Sequence, residues 1–206
     1  ANSVGALSTA KATGFTAYSS IGVTSSTSDV TVTGDSQYLY QATFRNTGNL
    51  TLQPYAASFD RAQYFSTDWG AYFPATYKNV VIGKPGTNGS NQNSANISVD
   101  KISATGDIGI YGGTINLKGG VTTSESTGNG IIVKGTQDVV VYDGSSGTRN
   151  PVTITGSAST LPVYLWSNAD ASGTGAVKIG NYTDITSQGG PIYLGGSTAG
   201  TDTAPT

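Results

Sequence analysis

From Ile97 onward the chain repeats one small pattern, two aliphatic residues separated by a single residue. It recurs as Ile97-Ser-Val99, Ile108-Gly-Ile110, Ile115-Asn-Leu117, Ile131-Ile-Val133, Val139-Val-Val141, Val152-Thr-Ile154, Val163-Tyr-Leu165, Val177-Lys-Ile179 and Ile192-Tyr-Leu194. A period of two is that of a strand with one buried face. The gaps between runs are filled with Gly, Ser, Thr and Asn, and no stretch offers apolar residues at i, i+3, i+4 and i+7 long enough for a crossover helix. A doubly wound α/β fold is therefore excluded. Residues 1–53 carry similar short runs, Ile21-Gly-Val23, Val30-Thr-Val32, Tyr38-Leu-Tyr40 and Leu50-Thr-Leu52, so the expectation is an all-β protein of short strands.

Composition agrees. Of 206 residues 29 are Gly, only 11% are charged, Met is absent and Glu125 is the single glutamate, so the strong helix formers are scarce. The 36% of hydrophobic residues, spread along the chain, are enough for a core. A net charge of −2 offers no electrostatic footprint for nucleic acid or an anionic membrane surface. The absence of Cys and His removes the thiolate nucleophile, the disulfide and the commonest metal ligand and general base, so no metal or cofactor is expected. No apolar run approaches the length of a membrane span and no charged-then-apolar segment opens the chain, so no membrane insertion is expected.

Short strands with Gly, Asn or Asp corners leave two architectures, a sandwich or barrel of hairpins and a solenoid. Weak self-similarity favours the solenoid. Gly106-Asp-Ile-Gly-Ile-Tyr-Gly-Gly113 and Gly190-Pro-Ile-Tyr-Leu-Gly-Gly196 share a core closed by paired glycines, and Thr127-Gly-Asn-Gly-Ile-Ile-Val-Lys-Gly135 is a looser copy. These pieces, with Asn49-Leu-Thr-Leu52, Val80-Val-Ile-Gly-Lys-Pro85, Val163-Tyr-Leu-Trp-Ser-Asn-Ala-Asp170 and Ile185-Thr-Ser-Gln-Gly-Gly-Pro-Ile-Tyr-Leu-Gly-Gly196, resemble in their order the filamentous-haemagglutinin-like repeats of giant bacterial surface and secreted adhesins. The resemblance spans residues 45–196. It implies a right-handed parallel β-helix, exported to the cell surface, that serves as an elongated stalk or adhesive element. The Asn-Pro-Asn type motifs of the family's secretion domain are missing, so the likeness is to an internal repeat, and residues 1–40 match no part of it.

The rival class is a polysaccharide-processing enzyme, since such enzymes use this fold with clustered acids. Asp138 and Asp143 flank one strand, and Asp100 with Lys101 and Asp107 are further candidates. An extended strand holds the first pair roughly 16 Å apart, beyond the ~5 to 9.5 Å of glycosidase carboxyl pairs. Acids at strand ends are expected instead to cap backbone N–H groups at corners, and the chain is read as not an enzyme. Gly195-Gly-Ser-Thr-Ala-Gly-Thr-Asp202 only echoes a calcium-binding solenoid repeat. Thr31-Val-Thr33, Thr51 and Thr153-Ile-Thr155 are of the kind found on flat ice-binding faces, but they recur at no single spacing and Thr favours exposed strand positions anyway; ice binding is not expected.

Eight aromatics crowd into residues 55–77: Tyr55, Phe59, Tyr64, Phe65, Trp69, Tyr72, Phe73 and Tyr77. Structurally this reads as an aromatic-rich insertion packing its own satellite core. Functionally it reads as a carbohydrate-binding loop, with Tyr64, Trp69 and Tyr72 as the ligand-contacting residues. Lys118, Lys134 and Lys178 read as solubilising charges at the outer ends of strands.

The expected organisation is an N-terminal β segment over 1–53, the aromatic-rich insertion over 54–79 and solenoid repeats over 80–206. The two aliphatics of each run from Ile97 to Val133, and of those beginning at Val163, Val177 and Ile192, should point inward, with Ser98, Gly109, Asn116, Lys178 and Tyr193 outward. Nothing after Ile192-Tyr-Leu194 reads as a lid, so the expected partners are neighbouring repeats or further copies end to end, with host or environmental glycans or proteins as adhesion targets.

Overall fold

The computed structural model describes residues 7–8, 15–16, 20–21, 26–39, 42–65, 73–74, 76–86, 94–156, 160–170 and 175–196. Twenty-two strands and no helix occur among them. The first sheet has eight strands in the order β1 (Leu7–Ser8), β4 (Val30–Thr33), β7 (Leu50–Gln53), β10 (Val80–Ile82), β13 (Ile108–Gly112), β16 (Ile131–Gly135), β19 (Val163–Ser167) and β22 (Ile192–Gly196). The second has β8 (Gln63–Phe65), β11 (Ile97–Val99), β14 (Ile115–Leu117), β17 (Val139–Val141) and β20 (Val177–Ile179). The third has β9 (Thr76–Tyr77), β12 (Ile102–Ala104), β15 (Val121–Thr123), β18 (Asn150–Ile154) and β21 (Thr183–Thr186). Two further pairs, β2 (Phe15–Thr16) with β5 (Gln37–Tyr38) and β3 (Ser20–Ile21) with β6 (Thr43–Phe44), keep the same chain order.

The chain thus visits the three sheets in turn, and every third strand returns beside its predecessor. We call each such triplet a rung. Among the described residues every strand pairing is parallel, and an antiparallel bridge, Ser145 with Thr148, stands outside the strands. Hairpins joined by tight turns are therefore not the organising unit.

Register converts the period-two pattern into columns. Val30, Leu50, Val80, Ile108, Ile131 and Val163 align across the first sheet, and beside them run Val32, Leu52, Ile82, Ile110, Val133 and Leu165. All are buried, in one contiguous core that also takes in Ile97, Val99, Ile115, Leu117, Val139 and Val152. Each aliphatic packs on its like about 4.8 Å away along the stack, so the same residue types can fill successive rungs.

Four inward expectations differ. Ile179, Ile192 and Leu194 are 42%, 42% and 51% exposed, and Val177 is half-buried. Register still aligns them with the buried Val141, Val163, Leu165 and Val139; what they lack among the described residues is a following rung to cover them. Gly109, expected outward, is buried beside the Tyr111 ring, and Ser98, also expected outward, is only 7% exposed. Its register neighbours Tyr64 and Asn116 flank it, and the Asn116 Nδ2 donates to its Oγ at 3.3 Å.

The aromatic stretch 54–79 supplies β8 and β9 to the second and third sheets. Phe59, Phe65, Phe73 and Tyr77 join the one core with Phe44 rather than forming a satellite. Phe73 sits 5.7 Å from Phe65, 5.8 Å from Phe44 and 6.1 Å, edge-on, from Tyr77. The buried Tyr77 hydroxyl is satisfied by the Phe44 carbonyl at 3.0 Å.

Candidate functional site

The richest chemistry lies at the corner that leads into the first sheet. Asp29, Asn49, Asn79 and Asp107 each stand immediately before a first-sheet strand. Short side chains that accept from backbone N–H suit such a bend, and in successive rungs they stack. The Asn49 N–H donates to Asp29 Oδ1 at 2.8 Å, Asn79 Nδ2 to Asn49 Oδ1 at 2.8 Å, and the Asp107 N–H to Asn79 Oδ1 at 2.8 Å. Asp107 in turn accepts from the Asn129 and Gly130 N–H groups at 2.5 and 2.9 Å, and from Asn129 Nδ2 at 2.8 Å. The next rungs place Gly130, Pro162 and Pro191 there, and the side-chain ladder ends at Asp107.

At that end the single glutamate arrives from the loop between β15 and β16, and the Glu125 and Asp107 carboxyl groups hydrogen-bond to each other. Glu125 Oε2 is sealed from solvent and meets no N–H or O–H donor. An ionised Glu125 would therefore put a buried charge against the Asp107 carboxylate, and a proton held between the two groups removes that conflict. Burial, then the hydrogen bond to Asp107 and its charge, push the Glu125 pKa up to about 7, against a smaller downward pull from the Gly130 N–H. Burial acts upward on Asp107 too, but hydrogen bonds from Glu125, Asn129 and Gly130 outweigh it and hold its carboxyl below the usual range. Burial and the Asp107 charge raise the nearby Tyr111. Gly128 makes room for the pair: its φ is +144° and a Cβ there would press on both carboxyls, while Gly130, with φ +74°, lies instead against the Pro162 carbonyl of the next rung.

A carboxylic acid still protonated near neutral pH is the usual equipment of a general acid. Here the Oε2 oxygen faces the interior and Asp107 spends its lone pairs on three N–H donors, so the geometry is that of a corner clamp. Asp138 and Asp143 are also occupied at corners. Asp138 accepts from the Ala176 N–H at 2.9 Å and pairs with Lys178 at 2.5 Å, and the latter contact with the Ala176 bond holds its pKa low. Asp143 accepts from the Asn181 N–H at 2.7 Å. Asp100 follows β11, with Lys101 exposed beside it. Sequence reasoning missed Glu125, because nothing in the chain order shows that residue 125 comes back over residue 107. Its being the only glutamate was the one available signal. Among the described residues no three His, Cys, Asp or Glu side chains cluster as a metal site.

Of the three aromatics expected to contact ligand, Tyr64 projects from β8 and is 55% exposed, whereas Trp69 and Tyr72 lie outside the described residues. A second aromatic group, not foreseen, covers the outer side of the first sheet. Tyr164 stacks on Tyr193 with ring centroids 4.5 Å apart and planes 9° from parallel. Trp166 lies over Gly195, where a Cβ would come within 3.1 Å of its ring. Lys134 stands between Tyr111 and Trp166 in register and is 8% exposed. It is thus no solubilising charge, since its aliphatic stem is covered by its neighbours. Lys118 and Lys178 remain exposed, the first with its Nζ 5.8 Å from the Tyr142 ring centre.

A shallow groove bounded by Tyr142, Asp143, Lys178 and Ile179 encloses about 270 Å³, below the ~300 to 1,000 Å³ of typical ligand pockets. No protein-family model, curated protein or solved structure matches the chain.

Proposed function

We propose that this chain is a structural and adhesive segment of a bacterial cell-surface or secreted protein, a right-handed parallel β-helix of the filamentous-haemagglutinin-like kind that acts by extension and contact and not by turnover. The observation that carries the reading is the unbroken parallel register of the first sheet through eight strands, six of which (β4, β7, β10, β13, β16 and β19) supply a single core. Seven intervals of about 4.8 Å give roughly 34 Å of axis, and the architecture lengthens by adding rungs without a new core design. Crossovers between parallel strands of one sheet are right-handed in about 98% of cases, which supports the hand. The exposed Ile192 and Leu194 continue the interior columns, so a further rung from this chain or from another copy buries them. The engaged carboxyls at the corners support the absence of catalysis.

Electron microscopy of the purified protein, with binding to host-cell and glycan-coated surfaces, tests the reading. Rods that bind such surfaces are expected; compact particles that bind neither overturn it. A carbohydrate-binding module is the second reading, favoured by Trp166 seated over Gly195 beside the Tyr164–Tyr193 stack, because aromatic rings with polar tips suit sugar stacking. Loss of glycan-array signal in Trp166→Ala, with Tyr64→Ala unaffected, would assign binding to this face.

A further inference from the structure

The third sheet carries on its outer side an ordered array of hydroxyl groups. Thr76, Ser103, Thr122, Thr153 and Thr186 occupy one register column over five consecutive rungs. They point away from the core, since their strand neighbours Tyr77, Ala104, Val121, Thr123, Val152 and Ile154 are buried. Two residues further on, Thr105, Ser124 and Thr155 form a second column, all three exposed. The N–H groups of these three continue the ladder by donating to the carbonyls of Tyr77, Ala104 and Thr123 in the preceding rungs, at 2.7, 3.1 and 2.7 Å. Three successive rungs therefore present a hydroxyl, a buried residue and a hydroxyl: Ser103-Ala-Thr105, Thr122-Thr-Ser124 and Thr153-Ile-Thr155.

The hydroxyls are held by one another in pairs and by backbone carbonyls, while the backbone register sets their rung repeat. Ser103 and Thr122 hydroxyls lie 3.2 Å apart, and the Thr186 hydroxyl donates to Thr153 at 3.0 Å. In the second column Thr105 and Thr155 make the same contact two rungs apart, each hydroxyl donating to the carbonyl that its own N–H also uses. General strand preference for Thr does not account for this, because it would serve all three sheets alike. Across the first sheet the corresponding outward column reads Thr31, Thr51, Val81, Gly109, Ile132, Tyr164 and Tyr193, and across the second Tyr64, Ser98, Asn116, Val140 and Lys178. Of the three long sheets, only the third keeps a hydroxyl at each of its described rungs.

We infer that the outer face of the third sheet is an ice-binding surface, its two hydroxyl columns ordering water in the arrangement of an ice crystal plane. The rung repeat of about 4.8 Å is close to the shortest lattice repeat of hexagonal ice. A Thr side chain offers a hydroxyl to join the lattice and a methyl group that orders water beside it. Parallel register holds the columns rigid before binding, so little entropy is lost on contact. Carbohydrate hydroxyls would also accept such an array, but a flexible glycan gains little from ranks spaced at a constant repeat, whereas a crystal plane requires them.

The test is partition of the intact protein into slowly growing ice, with thermal hysteresis as second readout. Enrichment of the wild type in the ice fraction is expected. Thr122→Lys and Thr153→Lys, surface changes that leave the core alone, should reduce partition to the level of an inert protein at unchanged melting temperature. Thr31→Lys, a Thr on the outer side of the first sheet, should partition as wild type. Exclusion of the wild type from ice overturns the inference, as does unchanged partition of Thr122→Lys or equal loss in Thr31→Lys. If Thr122→Lys unfolds, Thr122→Val decides, because it removes the hydroxyl and keeps the shape. Rods that adhere to cells but are excluded from ice defeat this inference alone; compact particles that enter ice defeat the stalk reading alone.

Discussion

Glu125 makes stability depend on pH in a direction opposite to that of Asp107, Asp29 and Asp138. Its folded pKa of about 7 lies above the model-compound value of 4.5, so between those values the folded chain binds more protons than the unfolded one and stability falls as pH rises. Asp107, Asp29 and Asp138 are lowered from 3.8; their contribution is present above that value and is lost as pH falls. The clamp is thus strongest between about pH 4 and 5. Glu125→Gln keeps a donor for Asp107 but has no proton to lose, so thermal melts from pH 5 to 8 should show a declining midpoint in the wild type and a flatter one in the variant. Parallel curves would mean that the proton is not shared. Lys178→Ala should matter little, since its pair with Asp138 is largely exposed and such pairs contribute about 0 to 1 kcal/mol.

At the scale of the element, the corner ladder and the inward columns differ in what they contribute. Asn79 donates to Asn49 and accepts from the Asp107 N–H, so Asn79→Ala removes two bonds at a half-buried corner and should cost about 1 to 2 kcal/mol. Urea unfolding measures it; a change below about 0.3 kcal/mol would show that water replaces both. Leu165→Ala opens a cavity in a column that is closed on both sides and should cost about 2 to 5 kcal/mol, whereas the same change at the exposed Leu194 should cost well under that. Equal losses at the two positions would show that Leu194 is buried in solution.

For the whole molecule, the exposed ends of the interior columns predict self-association. Leu194→Asp places a charge where a following rung would sit, and sedimentation over a concentration series should show the wild type assembling further than the variant. Identical sedimentation of the two would remove end-to-end packing from the description. The molecule's length and its contact surfaces are separable in the same experiment, because the third-sheet hydroxyls and the first-sheet aromatics lie along the flanks and stay available in either state.

Much of the first and second sheets was legible in the chain. Runs such as Ile108-Gly-Ile110 and Ile115-Asn-Leu117 carry two aliphatics in period two, and each proved a strand with those residues buried. The third sheet was legible only at Val152-Thr-Ile154: Ile102-Ser-Ala104 and Val121-Thr-Thr123 hold one large aliphatic each, too little to separate a strand from a polar loop. For the same reason the hydroxyl columns looked aperiodic, with Ser103 and Thr122 19 residues apart but Thr153 and Thr186 33 apart. Loops of unequal length between rungs absorb that difference without disturbing register. Period, composition and corner residues by themselves determined an all-β chain of short strands with aliphatic interiors, because those follow from local sterics and from which side chains water rejects. Which strand lies on which, that Glu125 meets Asp107, and that one flank gathers hydroxyls while another gathers aromatics were decided only by the tertiary stack, since backbone pairing between rungs sets neighbours by register and not by distance along the chain.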